Sequence, residues 1–261
     1  MKIMEISAQL YTVRDYTQTA EELKETFKKL KKIGYESVQL SAMGPIKPEI
    51  IKELADENGL GICGTHTPFD RVVNETEAVI NEHKIYGTKN IGIGGLTHEI
   101  WQAERSELKD FVDECKKQLT PAIKKISDAG MKFAYHNHAI DFQHIIPGVT
   151  LLDYLIDGFS SDSVGLVMDF YWSQLGGLSY TEVFEKYSDR LDIVHFKDLL
   201  PVKNTPMIAA VGDGNINYKK IYEECKKYGV KYIAVEQDDC YGENPFDCLE
   251  RSYNTIKSFE K

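Results

Sequence analysis

Eight short apolar runs alternate with amphipathic stretches along nearly the whole chain, and no other feature restricts the fold as tightly. The runs lie at Met4 to Leu10, Ser37 to Leu40, Gly61 to His66, Asn90 to Gly94, Lys132 to His138, Gly165 to Asp169, Asp192 to His195 and Lys231 to Glu236. The stretches between them carry helical spacing: in Ala20 to Ile33, Leu23, Phe27, Leu30 and Ile33 recur at three- and four-residue steps. Gly34, Gly59, Gly87, Gly130 and Gly229 each stand where such a helix would end and a strand begin. Strands separated by helical crossovers run parallel, because each helix returns the chain to the same edge. At roughly 30 residues per unit, closure of eight such units into a (β/α)8 TIM barrel is the expected outcome, one domain over residues 1–261. An open doubly wound sheet is the competitor, but Gln9-Leu10-Tyr11-Thr12 follows the first run where a G-x-G-x-x-G turn would be needed.

Charge and cysteine content bear on partners and compartment. With 31 Lys plus Arg against 41 Asp plus Glu the formal charge is −10, which repels phosphate backbones and anionic lipid, so neither nucleic acid nor membrane is an expected partner. The five cysteines, Cys63, Cys115, Cys225, Cys240 and Cys248, form no CxxC pair and are too sparse for a disulfide scaffold. A reducing, cytoplasmic setting is expected, and no apolar run reaches the ~18 residues of a membrane span. Barrels of this size often pair, so a homodimer is compatible with the sequence, which leaves the oligomeric state open.

Chemistry is expected where polar residues interrupt the strand ends, since these feed the C-terminal mouth of a barrel. That filter selects Gln9, Gln39, Ser41, His66, His136, His138, Asp169, His195, Lys197, Glu236 and Asp238, including four of the seven histidines. Strand periodicity adds that His136 shares a face with His138, and His195 with Lys197, whereas Asn137 points away. Asp169, His195 and Glu236 come from three consecutive strands and should converge. Carboxylates and imidazoles meeting at one point make a divalent-ion site, suited to Mn, Zn, Co or Mg. A purely structural alternative, with Lys197 paired to Asp169 or Asp198, weighs against it.

Other features point less sharply. Tyr171-Trp172 can stack on a sugar or simply pack, and His98 and Trp101 can line the mouth. His83 and His144 read as surface or helix positions, Gly212 to Asn215 as a turn, and Lys28, Lys29, Lys31 and Lys32 as a solvated helix face. Asp198 to Gly214 reads as one extended loop.

The motifs Gln9-Leu10-Tyr11-Thr12-Val13-Arg14-Asp15, Tyr135-His136-Asn137-His138, Asp169-Phe170-Tyr171-Trp172, His195-Phe196-Lys197-Asp198 and Val235-Glu236 resemble those of the sugar phosphate isomerase/epimerase family. This family has the xylose isomerase-like barrel, and the resemblance runs through essentially the whole chain. It implies one divalent ion held through Glu, Asp, His and Glu from strands five to eight, which map to Asp169, His195 and Glu236 for the last three. His136 stands where many relatives have the first glutamate, with His138 the other candidate for the strand-five ligand.

The resemblance implies a metal-dependent sugar isomerase or epimerase working through an enediolate. Glu236, His136, Lys197 and His66 would be its catalytic groups, and Gln9, His138, Trp172 and Lys197 its substrate contacts. A lyase or dehydratase, of inosose dehydratase type or eliminating from a 3-keto-glycoside, is the alternative outcome. A non-catalytic sugar-binding protein on a degenerate barrel is the alternative of another class. The acidic balance, with Lys197 the one strongly placed cation, tilts the expected substrate toward a neutral sugar or polyol over a sugar phosphate.

Overall fold

The computed structural model describes residues 4–261, so the first three residues of the expected domain lie outside the described ones. Eight parallel strands form the barrel wall: β1 (Glu5–Gln9), β2 (Ser37–Leu40), β3 (Gly61–Thr65), β4 (Asn90–Ile93), β5 (Lys132–His136), β6 (Val164–Asp169), β7 (Leu191–Phe196) and β8 (Tyr232–Val235). Hydrogen-bonded neighbours run β3-β2-β1-β8-β7-β6-β5-β4. The remaining seam, between β3 and β4, is bridged by Thr67 N–H to Gly92 O at 2.7 Å and by Asn90 Nδ2 to Cys63 O at 2.8 Å. Gly92 is required there: a Cβ at this position would lie 2.2 Å from Thr65 O.

Eight helices return the chain: α1 (Ala20–Ile33), α2 (Pro48–Glu57), α3 (Thr76–Tyr86), α4 (Leu108–Asp128), α5 (Leu151–Ile156), α6 (Tyr180–Tyr187), α7 (Tyr218–Tyr228) and α8 (Pro245–Ser258). α1 begins on a capping box in which Thr19 Oγ1 accepts from Glu22 N–H and Glu22 Oε2 accepts from Thr19 N–H. Its buried stripe is Leu23, Phe27 and Leu30, packed in the main core between helices and sheet. Among the described residues no helix is long and apolar enough to cross a membrane.

A smaller buried cluster, Cys63, Ala134, Val167, Ile193 and Ala234, is separate from the helix-facing core and draws one residue from each of five strands. Two residues further along four of these strands come His136, Asp169, His195 and Glu236. Because side chains alternate with period two, the same inward face that is apolar at mid-barrel turns polar toward the C-terminal mouth.

Two expectations need correction. Asp198 to Gly214 is not an open loop: Asp198–Val202 pairs antiparallel with Thr205–Ala209. Lys203 and Asn204, at φ of 50° and 63°, form its two-residue turn. His83 lies on α3 but is not a surface residue. It is 1% exposed, with Nε2 2.8 Å from Thr65 Oγ1 and Nδ1 2.7 Å from Val79 O.

Candidate active site

At the mouth, β6, β7 and β8 bring Asp169, His195 and Glu236 together. His195 Nδ1 is 2.9 Å from Glu236 Oε2 and 3.8 Å from Asp169 Oδ2. His136, from β5, joins them, with one ligand atom from each of the four residues lying within 4.8 Å of the others. All four are buried. The end of β6 is fixed by Asn137, whose side chain accepts from Asp169 N–H at 2.8 Å and donates to Asp169 O at 3.2 Å. Asp169 Oδ1 in turn accepts from Trp172 N–H at 3.1 Å, capping the short helix Phe170–Leu175.

Lys197 enters the same cluster from the end of β7. Its ammonium lies 3.0 Å from Asp169 Oδ2, 2.7 Å from Glu236 Oε2 and 2.9 Å from Asp238 Oδ2, and the residue is 1% exposed. Tyr218 holds its backbone, donating to Lys197 O at 2.6 Å and accepting from Lys197 N–H at 2.9 Å. Burial alone would discharge the lysine, but the three carboxylates keep its pKa well above the ordinary value. For Glu236 burial acts upward, and Lys197 with His195 overcomes it, holding the carboxyl well below the usual range. Asp169 is raised, chiefly by burial. Asp238 is pushed up to about 6 by burial and by the Glu236 charge.

His66, His136 and His138 are neutral donors or acceptors at ordinary pH. Burial takes His66 and His138 down to about 3 and His136 well below its normal value. Gln9 sets the His66 tautomer. Its Oε1 accepts from Tyr11 N–H at 2.9 Å, so its Nε2 donates to His66 Nδ1 at 3.0 Å, and the His66 proton sits on Nε2. Gln39 holds the His195 ring, with Oε1 2.6 Å from Nε2. His195 Nδ1, on the other side of the ring, faces Glu236 Oε2 at 2.9 Å and Asp169 Oδ2 at 3.8 Å.

That convergence of acceptors is what a cation requires, and the residues fit a divalent ion. Asp169 Oδ2 makes no well-directed hydrogen bond despite its nearness to Lys197. Three carboxylates against one ammonium leave two negative charges in a buried place. Two imidazoles and two carboxylates form a mixed nitrogen and oxygen donor set suited to Mn, Co or Zn.

A cleft of about 950 Å³ opens on this cluster, lined in part by His66, His136, His138, Trp172, Glu236 and Asp238. Two residues read from sequence as substrate contacts stand behind the cleft wall. Gln9 is fully buried and its amide is spent on Tyr11 and His66, so it reaches the cleft only through His66. Lys197 is enclosed by carboxylates and is not among the residues lining the cleft. His138 and Trp172 do line it, with ring centroids 5.3 Å apart. His144 is exposed, outside the site.

Sequence reasoning missed Asn137, which it had pointing away, and Asp141, a buried carboxyl raised to about 7 by burial that accepts from His138 N–H and Tyr135 Oη–H. Asp141 lies three residues after His138, the capping spacing that could have found it. The Gly212-Asp213-Gly214 segment is a turn with a use: Gly212, Gly214 and Ile216 N–H groups all donate to the Asp198 carboxylate.

Comparison with known proteins adds three findings. The sequence profile described as xylose isomerase-like TIM barrel matches residues 27–247. Inosose dehydratase of Lacticaseibacillus casei is 26% identical over 251 residues, covering 82% of each chain. Among solved structures, a sugar phosphate isomerase/epimerase from Parabacteroides distasonis superposes with a TM-score of 0.76 at 19% identity, covering 100% of this chain and 96% of that one. An L-ribulose 3-epimerase superposes with a TM-score of 0.73 at 13% identity, covering 98% and 94%.

Proposed function

This chain belongs to the xylose isomerase-like TIM-barrel family, and from that premise we propose that it is an enzyme that removes a proton alpha to the carbonyl of a sugar or keto-polyol. The observation that carries the reading is the buried meeting of His136, Asp169, His195 and Glu236 at the base of an open cleft. These four residues would hold one divalent ion. When bound, that ion supplies Lewis-acid polarisation of a substrate carbonyl.

The protein's own groups do the rest. Glu236 is kept ionised by Lys197 and His195, and it lines the cleft, so it is the group placed to take the proton. His66 presents a buried Nε2–H without a partner and lines the same cleft, where it donates to a developing oxyanion. Lys197 acts through the carboxylates: it fixes Asp169, Glu236 and Asp238 and balances their charge. Gln9 holds the tautomer of His66, and Gln39 positions the His195 ring.

Reprotonation on the opposite face gives an epimer, return of the proton to the neighbouring carbon gives an isomer, and loss of a beta substituent gives dehydration or elimination. The relatives named inosose dehydratase favour the second outcome, and the epimerase neighbours support the fold on which the first occurs. Incubating the metal-loaded protein with an inosose and with a ketohexose in deuterated water separates these by NMR. Deuterium at the alpha carbon of intact sugar marks isomerisation or epimerisation, and a new enone or diketone marks elimination. A lack of both exchange and product with every substrate and ion tried would sink the reading in favour of a sugar-binding protein. A soluble cytoplasmic setting and a neutral small-molecule substrate belong to the same proposal.

A further inference from the structure

The cleft extends well beyond the candidate metal centre, and its outer wall has a definite character. Ring centroids step outward from His136 to His138 at 4.7 Å and from His138 to Trp101 at 4.7 Å. Trp101 sits on the short segment His98–Gln102, packs edgewise on His138 and leaves its other face open to the cleft, the residue being 45% exposed. It is one of two tryptophans in the chain, and the other, Trp172, lines the same cleft. Gly94 and Gly95 leave room beside this wall: a Cβ on Gly94 would lie 3.2 Å from His66 Nδ1, and one on Gly95 3.6 Å from the Trp101 ring.

The charge of the wall is one-sided. Asp70, Glu99, Glu236 and Asp238 line the cleft, and among the described residues no lysine or arginine does. A phosphate or carboxylate entering here meets carboxylates and finds no free cation. The volume, about 950 Å³, lies at the upper end of the ~300–1,000 Å³ typical of ligand clefts, more than a single sugar ring fills.

We propose that the substrate is an uncharged glycoside of two rings, the ring that bears the reacting carbonyl lying against His136 and Glu236 and the second ring stacked on the exposed face of Trp101. The apolar C–H face of a sugar, or an aryl aglycone, matches an indole face, and its hydroxyls suit a wall of carboxylate acceptors. This inference rests on the sugar-enzyme reading above and extends it to the substrate class.

The two tryptophans supply the experiment. In Trp172→Phe the remaining indole is Trp101, and in Trp101→Ala it is Trp172, so fluorescence titration of the metal-loaded proteins reports each position. The probes are glucose, glucose 6-phosphate, maltose, cellobiose and phenyl β-D-glucopyranoside. The expected result is half-saturation about tenfold lower for at least one two-ring probe than for glucose, seen by Trp101. Glucose 6-phosphate should bind more weakly than glucose. Trp101→Ala should remove the tenfold gain while leaving glucose half-saturation unchanged, and its unaltered thermal melt would exclude misfolding as the cause.

Glucose binding with no gain from any second ring, or tighter binding of the phosphate, overturns the inference and leaves the sugar-enzyme reading standing. Failure of every probe to bind, together with absent exchange in the deuterium experiment, overturns both.

Discussion

Replacing Lys197 by Met tests how the polar cluster is held together. The substitution keeps the stem volume and removes one ammonium from among Asp169, Glu236 and Asp238, which lie 3.0, 2.7 and 2.9 Å from it. At such separations each pair is worth about 6 kcal/mol of Coulomb attraction at an effective dielectric of ~20, much of it offset by desolvation. Removing one partner of a buried pair costs ~3–5 kcal/mol, because the other charge stays behind unpaired.

The variant should therefore lose about that much in urea unfolding at pH 7 after chelator treatment. Without the ammonium, Asp169 and Asp238, already raised by burial, rise further, and Glu236 loses the main charge that holds its pKa down against burial. Stability of the variant is then present at low pH and lost as pH rises through those values, so the deficit should be smaller at pH 5 than at pH 7. Added Mn or Zn should restore stability, and should bind the variant more tightly than the parent, because no ammonium competes for the same oxygens. A deficit below about 1 kcal/mol that is the same at pH 5 and pH 7 would refute this reasoning.

Gln39→Leu removes the group 2.6 Å from His195 Nε2, and chelator competition should show divalent-ion affinity weakened ~10–100-fold with the thermal melt little changed. Asp198→Ala leaves the N–H groups of Leu199, Gly212, Gly214 and Ile216 without their acceptor, and should cost roughly 3 kcal/mol or more in denaturant unfolding. His83 is lowered to about 4 by burial, so its contribution is present above pH 6.5 and is lost as pH falls toward 4. About 2 kcal/mol of it is lost by pH 5, and unfolding of His83→Gln across that range should show a shallower pH slope by about one proton.

The strands were legible because each parallel barrel strand is buried on both faces and so reads as a short continuous apolar run. The site residues were legible for a related reason: His136, Asp169, His195 and Glu236 follow such runs on the inward face, where a polar residue stands out. What joins them was not. Gln39 reaches His195 across 156 positions, from β2 to β7, and nothing local in either segment marks the pair. Alternation placed Asn137 on the other face, but past the last paired residue of β5 the chain turns, and its side chain clasps the β6 backbone. For Lys197 the sequence offered either a cation for the substrate or a partner of Asp169 or Asp198; it pairs with Asp169, and with Glu236 and Asp238, which enter from β8 and its end, 39 and 41 positions away. The Lys203-Asn204 turn was readable in principle, but Pro201 and Pro206 on its two arms obscured the strand pattern.

Whether His136, Asp169, His195 and Glu236 hold one divalent ion can be read from the metal content of the protein. Elemental analysis by mass spectrometry, after loading with Mn, Zn, Co or Mg and removal of loose ions, measures this directly. The parent protein should carry about one ion per chain and the Asp169→Asn, Glu236→Gln double variant essentially none. Equal ion content in the two proteins, or none in the parent with any of the four metals, would contradict it.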